Sequence, residues 1–164
     1  MKILNHRQIQ QKIQRLAIEI MEHNIGEESI ILAGINNNGL GFARMLLAEL
    51  ERHARLKVRL TQLRLNPANP LESPITIGVP VEELLDQVVI LVDDVANTGR
   101  TLFYAFQPML LSLPKRVEVA VLVDRQHKFF PVKVDYMGIS LATTLRENID
   151  VDIMEVEEFA VHLT

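Results

Sequence analysis

The chain has 164 residues, 48% of them hydrophobic and 23% charged, with a formal net charge of −4. That balance suits one globular domain over residues 1–164 with a proper core, and it excludes both a disordered chain and a bulk basic field that would draw the protein to nucleic acid. Cysteine is absent, which excludes a disulfide framework, a thiolate metal site and a cysteine nucleophile and accords with a reducing cytoplasm.

The first residues, MKILNHRQIQQK, lack an apolar stretch followed by a small-residue cleavage site. No apolar run approaches the roughly 20 residues that span a bilayer, so the expectation is a cytoplasmic protein with no membrane partner. Ile9, Ile13, Leu16, Ala17, Ile20 and Met21 follow helical spacing, with Asn5 as N-cap and Gly26 as the stop. Ile30–Ile35 is a short continuous apolar run, as expected for a strand buried on both faces. Asn36–Gly39 has loop chemistry, and a second amphipathic helix follows with Phe42, Leu46, Leu47 and Leu50.

Val58–Leu65 alternates apolar and polar residues and reads as a strand nearer a sheet edge. Asn66–Pro74 is proline- and asparagine-rich and must be loop. Ile75–Val81 adds a short extended piece, and Glu82–Asp86 leads into Val88–Val92, the strongest strand signal in the chain. Thr98 to about Ser112 reads as helix, with Pro108 set to kink it or end it early. Val117–Val123 is another buried strand, and Val132–Met137 and Val151–Val156 are shorter extended segments. Strands alternate with helices through most of the chain, which predicts an α/β fold with a mainly parallel sheet. Ligands in such sheets bind beyond the carboxyl ends of the strands. That directs attention to Asn36–Gly39, Asp93–Thr101 and Asp124–His127.

The chemistry concentrates in Val88–Leu102, VVILVDDVANTGRTL. An apolar strand delivers two adjacent acids, Asp93 and Asp94, and Thr98-Gly99-Arg100-Thr101 then opens a helix. Gly99 permits close approach of a ligand, the helix start offers free N–H groups, and Thr98 and Thr101 add hydroxyl donors, so the segment suits a terminal phosphate. Carboxylates accept hydrogen bonds from a vicinal diol, so a ribose 5-phosphate satisfies both halves of the segment. An NTPase reading fails for want of a GxxxxGK[ST] loop, and Gly39 and Gly41 supply only a fragment of a dinucleotide fingerprint. A solvated turn before a capped helix explains the acids alone, but not the whole segment.

This stretch resembles the phosphoribosyl pyrophosphate (PRPP) motif of type I phosphoribosyltransferases. The similarity continues through AVLVDRQHKFFPVKVDYMG, ending at Gly138, where it is nearest to the pyrimidine-operon regulators with uracil phosphoribosyltransferase activity. The resemblance implies a twisted, mainly parallel sheet flanked by helices with a small hood. It implies that Asp93 and Asp94 bind the ribose and are the catalytic acids, and that Ala96, Asn97, Thr98, Gly99, Arg100 and Thr101 hold the 5-phosphate. Asn36, Asn37, Asn38 and Gly39 would bind pyrophosphate, and Asp124, Arg125 and His127 would contribute to the base site. It further implies Mg²⁺ carried mainly by ligand oxygens, transfer from PRPP to a nucleobase with uracil the first candidate, and a homo-dimer or higher homo-oligomer.

Two departures from that subfamily favour an alternative, a catalytically weak PRPP- or nucleotide-sensing regulator. Asn37-Asn38 stands where a Thr-Arg pair is usual, with Arg44 a helical turn away, and the segment at Leu65–Pro74 is short and lacks tyrosine and arginine. Arg52, Arg55, Lys57 and Arg59 around His53 form a basic corner without aromatic interleaving. It reads as a solvated face before it reads as an RNA surface. Phe129-Phe130 reads first as packing and only second as a base-stacking pair.

Overall fold

The computed structural model describes residues 1–53 and 55–164. After β1 (Lys2–Leu4), the helical spacing of the first segment produces α1 (His6–His23), which buries Ile9, Ile13, Leu16, Ala17 and Ile20. Asn5 caps it: its side chain accepts from the Gln8 N–H at 3.0 Å while Gln8 Oε1 accepts from the Asn5 N–H at 2.9 Å, a reciprocal capping box. The helix ends at His23, short of the expected Gly26, with Asn24 as its C-cap. The amide of Asn24 reaches back to the Ile20 carbonyl at 2.8 Å and satisfies an orphan acceptor of the last turn.

A six-stranded sheet forms the body, in the order β4-β3-β2-β5-β6-β7. Its members are β2 (Ser29–Ile35), β3 (Lys57–Arg64), β4 (Thr76–Ile77), β5 (Val88–Ala96), β6 (Arg116–Arg125) and β7 (Tyr136–Leu141). All neighbours run parallel except β3 and β4, so the two-residue β4 shields the edge beside β3. The extended segment expected at Val132–Met137 starts later, at Tyr136, where the backbone first comes into register with Ala120.

Strand alternation separates two cores. Ile30 and Leu32 of β2 and Val88, Ile90 and Val92 of β5 face α1 and α2 (Asn36–His53), where they meet Leu16, Phe42 and Leu46. Ile31, Ala33 and Ile35, with Val89 and Leu91, face Leu63, Leu84, Leu102 and Met109. α3 (Arg100–Ala105) is a single short helix on that second face. Pro108 ends the regular helix, and the chain continues as a 3-10 turn over Gln107–Leu111.

A separate antiparallel sheet, β1-β9-β8, joins both chain ends and includes β8 (Ile149–Asp152) and β9 (Ala160–Leu163). The extended segment expected at Val151–Val156 is replaced by β8, which ends at Asp152. Leu4, Ile153 and Val161 sink into the first core and hold this sheet to the body. No helix among the described residues is long and apolar enough to cross a membrane.

Replacing Asn5 by alanine removes half of the capping box and should cost about 1 kcal/mol. A urea titration should show a lowered midpoint with an unchanged slope. An unchanged midpoint would mean that packing alone sets where α1 begins.

Candidate active site

β2 sends the chain to β3 on one side, while β5 lies on its other side, so the strand order reverses between β2 and β5. A crevice opens at the carboxyl end of such a reversal. Here it is a cleft of about 440 Å³, lined by Ile35, Asn36, Asn37, Asn38, Arg64, Pro67, Asp93, Asp94 and Thr101.

Asn36–Gly39, expected as loop, is instead the first turn of α2. Asn36 makes the sharp change of direction by itself, with a φ of 52°, a left-handed conformation that asparagine tolerates better than most residues. Its side chain ties the turn to the end of β3: Nδ2 donates to the Leu65 carbonyl at 3.0 Å and Oδ1 accepts from the Leu65 N–H at 3.1 Å. Asn37 Oδ1 accepts from Gln62 Nε2 at 3.3 Å. Gly39 brings the turn against β5, because a Cβ there would lie 2.4 Å from the Val92 carbonyl oxygen.

The strand expected to end at Val92 continues through both acids to Ala96, since Asp93 pairs with Val121 and Val95 with Val123 of β6. Asp94 N–H donates to Asp93 Oδ1 at 2.9 Å, and Val95 N–H donates to Asp94 Oδ1 at 2.8 Å. Burial, then the neighbouring charge of Asp94, push the Asp93 carboxyl well above the usual carboxylate range.

Ala96–Thr101 wraps a small recess of about 50 Å³. Gly99 has a φ of 85°, directly before the first helical residue, Arg100. A Cβ at Gly99 would be strained whatever the surrounding space. The Thr98 carbonyl accepts from the N–H groups of Phe129 at 2.9 Å and Phe130 at 3.2 Å, so the connection after β6 is bonded to this loop.

The residues expected after β6 take distinct places. Asp124 pairs with Lys128 Nζ at 2.5 Å, the Arg125 guanidinium donates to the Thr144 carbonyl, and exposed His127 lies edge-on to Phe129 at 5.6 Å. None of the three lines the 440 Å³ cleft. Phe130 packs on Phe103 at 5.3 Å.

Two contributors were not anticipated. Arg64, at the end of β3, is the one lysine or arginine lining the cleft among the described residues, whereas Arg44 does not line it. An adjoining space of about 400 Å³ shares Asn38, Asp93, Asp94 and Thr101 with the cleft and is walled by Ile149–Asp152 of β8. Arg64 carries no local motif beyond a cation at a strand end. β8 falls within reach of the expected Val151–Val156 segment, but its place at the site comes from pairing with β9, not from periodicity.

The mainly parallel sheet with a crevice at its strand reversal is the architecture of α/β proteins that bind ligands at the switch point. Residues 1–154 match the phosphoribosyl transferase domain family, and the chain belongs to that family. It is 35% identical to Bifunctional protein PyrR of Clostridium acetobutylicum, covering 96% of this chain and 92% of that protein. It is 34% identical to Bifunctional protein PyrR of Alkaliphilus metalliredigens, covering 95% and 90%. Among solved structures, the hypoxanthine phosphoribosyltransferase of Trypanosoma cruzi superposes with a TM-score of 0.79 at 17% identity, covering 98% of this chain and 95% of that one. A hypoxanthine-guanine phosphoribosyltransferase from Bacillus anthracis gives 0.70 at 21% identity, covering 86% and 82%. These two likenesses show the shared fold.

A raised carboxyl pKa favours the folded state where Asp93 is protonated, and stability is lost as pH rises from the ordinary carboxylate range through the raised value. Asp93→Asn should therefore raise Tm at pH 8, with the gain shrinking toward pH 4 and vanishing below it. Thermal melts across that range check the sign; a variant less stable at pH 8 than the parent would contradict it.

Proposed function

We propose that this phosphoribosyltransferase moves the 5-phosphoribosyl group of PRPP onto a ring nitrogen of a nucleobase, with uracil the first candidate and pyrophosphate the leaving group. The observation that carries this reading is the meeting of the Asn36–Asn38 turn, the Asp93-Asp94 pair and Thr101 in one cleft at the strand reversal. The 5-phosphate sits in the Ala96–Thr101 loop, at the turn of Gly99 that opens α3. The ribose hydroxyls donate to Asp93 and Asp94. Asn36, Asn37, Asn38 and Gly39 take the pyrophosphate, and Arg64 from across the cleft supplies the cation that the Asn37-Asn38 pair does not.

The base occupies the space between β8 and the connection after β6. Asp124 and Arg125, already bonded to Lys128 and to the Thr144 carbonyl, fix the shape of that wall, and His127 is the member turned outward. PyrR proteins are the relatives at 32–35% identity; with the motif resemblance, they make a pyrimidine the first base to test. The protein works as a homo-oligomer in the cytoplasm.

Among the described residues no group of three or more histidines and acids converges to hold a metal. Mg²⁺ would be held mainly by ribose and pyrophosphate oxygens and water, with no side chain of the chain assigned to it. When bound with PRPP, Mg²⁺ neutralises charge on the leaving pyrophosphate. The chain's own contribution is orientation and charge. Bond breaking at C1 builds positive charge on the ribose, and the fixed carboxylate of Asp94 stabilises it.

A second reading, PRPP sensing with weak turnover, is favoured by the Leu65–Pro74 segment. Asn66 Nδ2 donates to Glu72 Oε2 at 2.5 Å, Asn66 Oδ1 accepts from the Ala68 N–H at 3.0 Å, and Asn36 clamps Leu65. A short segment so tied has little reach to close over a ligand and exclude water.

Calorimetric titration with PRPP and Mg²⁺, followed by pyrophosphate release with each base, separates the two. Saturable binding with uracil-dependent release supports transfer, saturable binding without release supports sensing, and no binding to folded protein up to about millimolar PRPP overturns both. Asp94→Asn should lower turnover at least about 10²-fold. Arg64→Ala should weaken PRPP binding about tenfold while leaving Tm within about 1 °C of the parent, since a lost charged contact is worth roughly 1–3 kcal/mol.

A further inference from the structure

A glycine gives up more freedom than any other residue when it is held in one conformation. A loop that turns through Gly99 at a φ of 85° therefore needs support from outside itself. The connection after β6 supplies it. A Cβ at Gly99 would lie 3.4 Å from Lys128 Cδ, 3.4 Å from Val132 Cβ and 3.5 Å from the Phe130 carbonyl oxygen. These are van der Waals contacts, so the lysine stem and its neighbours close one side of the glycine. Beside it, the Thr98 carbonyl takes the N–H groups of both Phe129 and Phe130.

A lysine ordinarily keeps its ammonium in water and loses much rotamer freedom when it is held. Lys128 is held. Its side chain is only 17% exposed, and its Nζ donates to Asp124 Oδ1 at 2.5 Å and to the Arg125 carbonyl. Asp124 is itself buried near the end of β6, in register with Ala96, the residue from which the loop departs. The base of the loop is thus paired with Asp124, and its tip rests on the residue that Asp124 pins. The carboxylate matches the lysine charge, so the loop meets the stem and not the ammonium.

We propose that Lys128 is a positioning residue for the 5-phosphate: pinned by Asp124, its stem holds Gly99 in the conformation that shapes the recess. The inference rests on the reading of Ala96–Thr101 as the phosphate loop, and it extends the role of Asp124 from the base-side wall to that loop. A loop held in its binding shape spares the ligand the cost of ordering it. Without the pin, the ligand must order the loop on arrival, and affinity falls.

Hydrogen exchange of the ligand-free chain and calorimetric titration with PRPP and Mg²⁺ test this together. Lys128→Met keeps most of the stem and removes the ammonium. Exchange over 96–102 should then quicken at least about tenfold, while 36–39 and α1 keep their parental rates. The PRPP dissociation constant should rise about tenfold. Lys128→Arg keeps a cation for Asp124 and should stay within about twofold of the parent in both measurements. Lys133→Met, exposed on the same connection, should change neither. A role in stability alone would lower Tm without singling out 96–102. Should Lys128→Met fail to fold by circular dichroism, Asp124→Asn combined with Lys128→Met leaves no buried charge unpaired and should show the same two changes. Unaltered exchange at 96–102, or unaltered PRPP affinity, in a folded variant overturns the proposal alone. A parent that binds no PRPP overturns the reading of the loop along with it.

Discussion

The first turn of α2 lies so close to β5 that a Cβ at position 39 would sit 2.4 Å from the Val92 carbonyl oxygen and 3.3 Å from the Asp93 Cα. The arrangement of the cleft follows from this approach. It brings the Asn36–Asn38 turn beside the two acids instead of leaving it a helix diameter away. It also requires a sharp departure from β2, which Asn36 makes with positive φ and stabilises by clamping Leu65. That clamp in turn fixes where β3 ends, and so where Arg64 enters the cleft. A phosphate-sized anion on one side and a diol on the other can be bridged by one ligand only because these two strand ends are adjacent in the sheet.

The two carboxylates line the cleft, whereas the Ala96–Thr101 loop, which shares Thr101 with it, lines a recess of its own. β5 carries Asp93 and Asp94 within the strand, with Asp93 in register with Val121. That recess, of about 50 Å³, lies further along the chain from the acids. The cost falls on Asp93, whose burial beside Asp94 disfavours its charged form. A group held this way costs stability at neutral pH, a cost that a hydroxyl donor or a proton at the carboxyl relieves.

The central strands were legible because burial on both faces leaves nothing polar to interrupt them: Ile30–Ile35, Val88–Val92 and Val117–Val123 stand out without any partner being known. Their ends were not legible, because pairing sets strand length. β5 runs on through two aspartates since β6 continues beside it. The helix expected from Thr98 shrank to Arg100–Ala105 because Gly99 adopts positive φ and Pro108 interrupts the far side. β1 and β9 were invisible as strands, and β8 was expected two residues late, at Val151–Val156; segments of three or four residues carry too little periodicity, and the pairing of β1 with β9 joins residues at opposite ends of the chain. In the site, the acids and the glycine-containing loop were legible as a local motif. Arg64 and the β8 wall were not, since each reaches the cleft by topology.

The central claim is that the strand-reversal cleft and the Ala96–Thr101 loop are one binding site for PRPP. Hydrogen exchange, followed peptide by peptide with and without PRPP and Mg²⁺, tests it most directly, because amides that bond a phosphate or lie under a ligand exchange more slowly. The account predicts slowed exchange at both 36–39 and 96–102 at the same PRPP concentration, with α1 unchanged. Exchange that is unaltered at both segments under saturating PRPP, or slowed only at a surface remote from them, would contradict it.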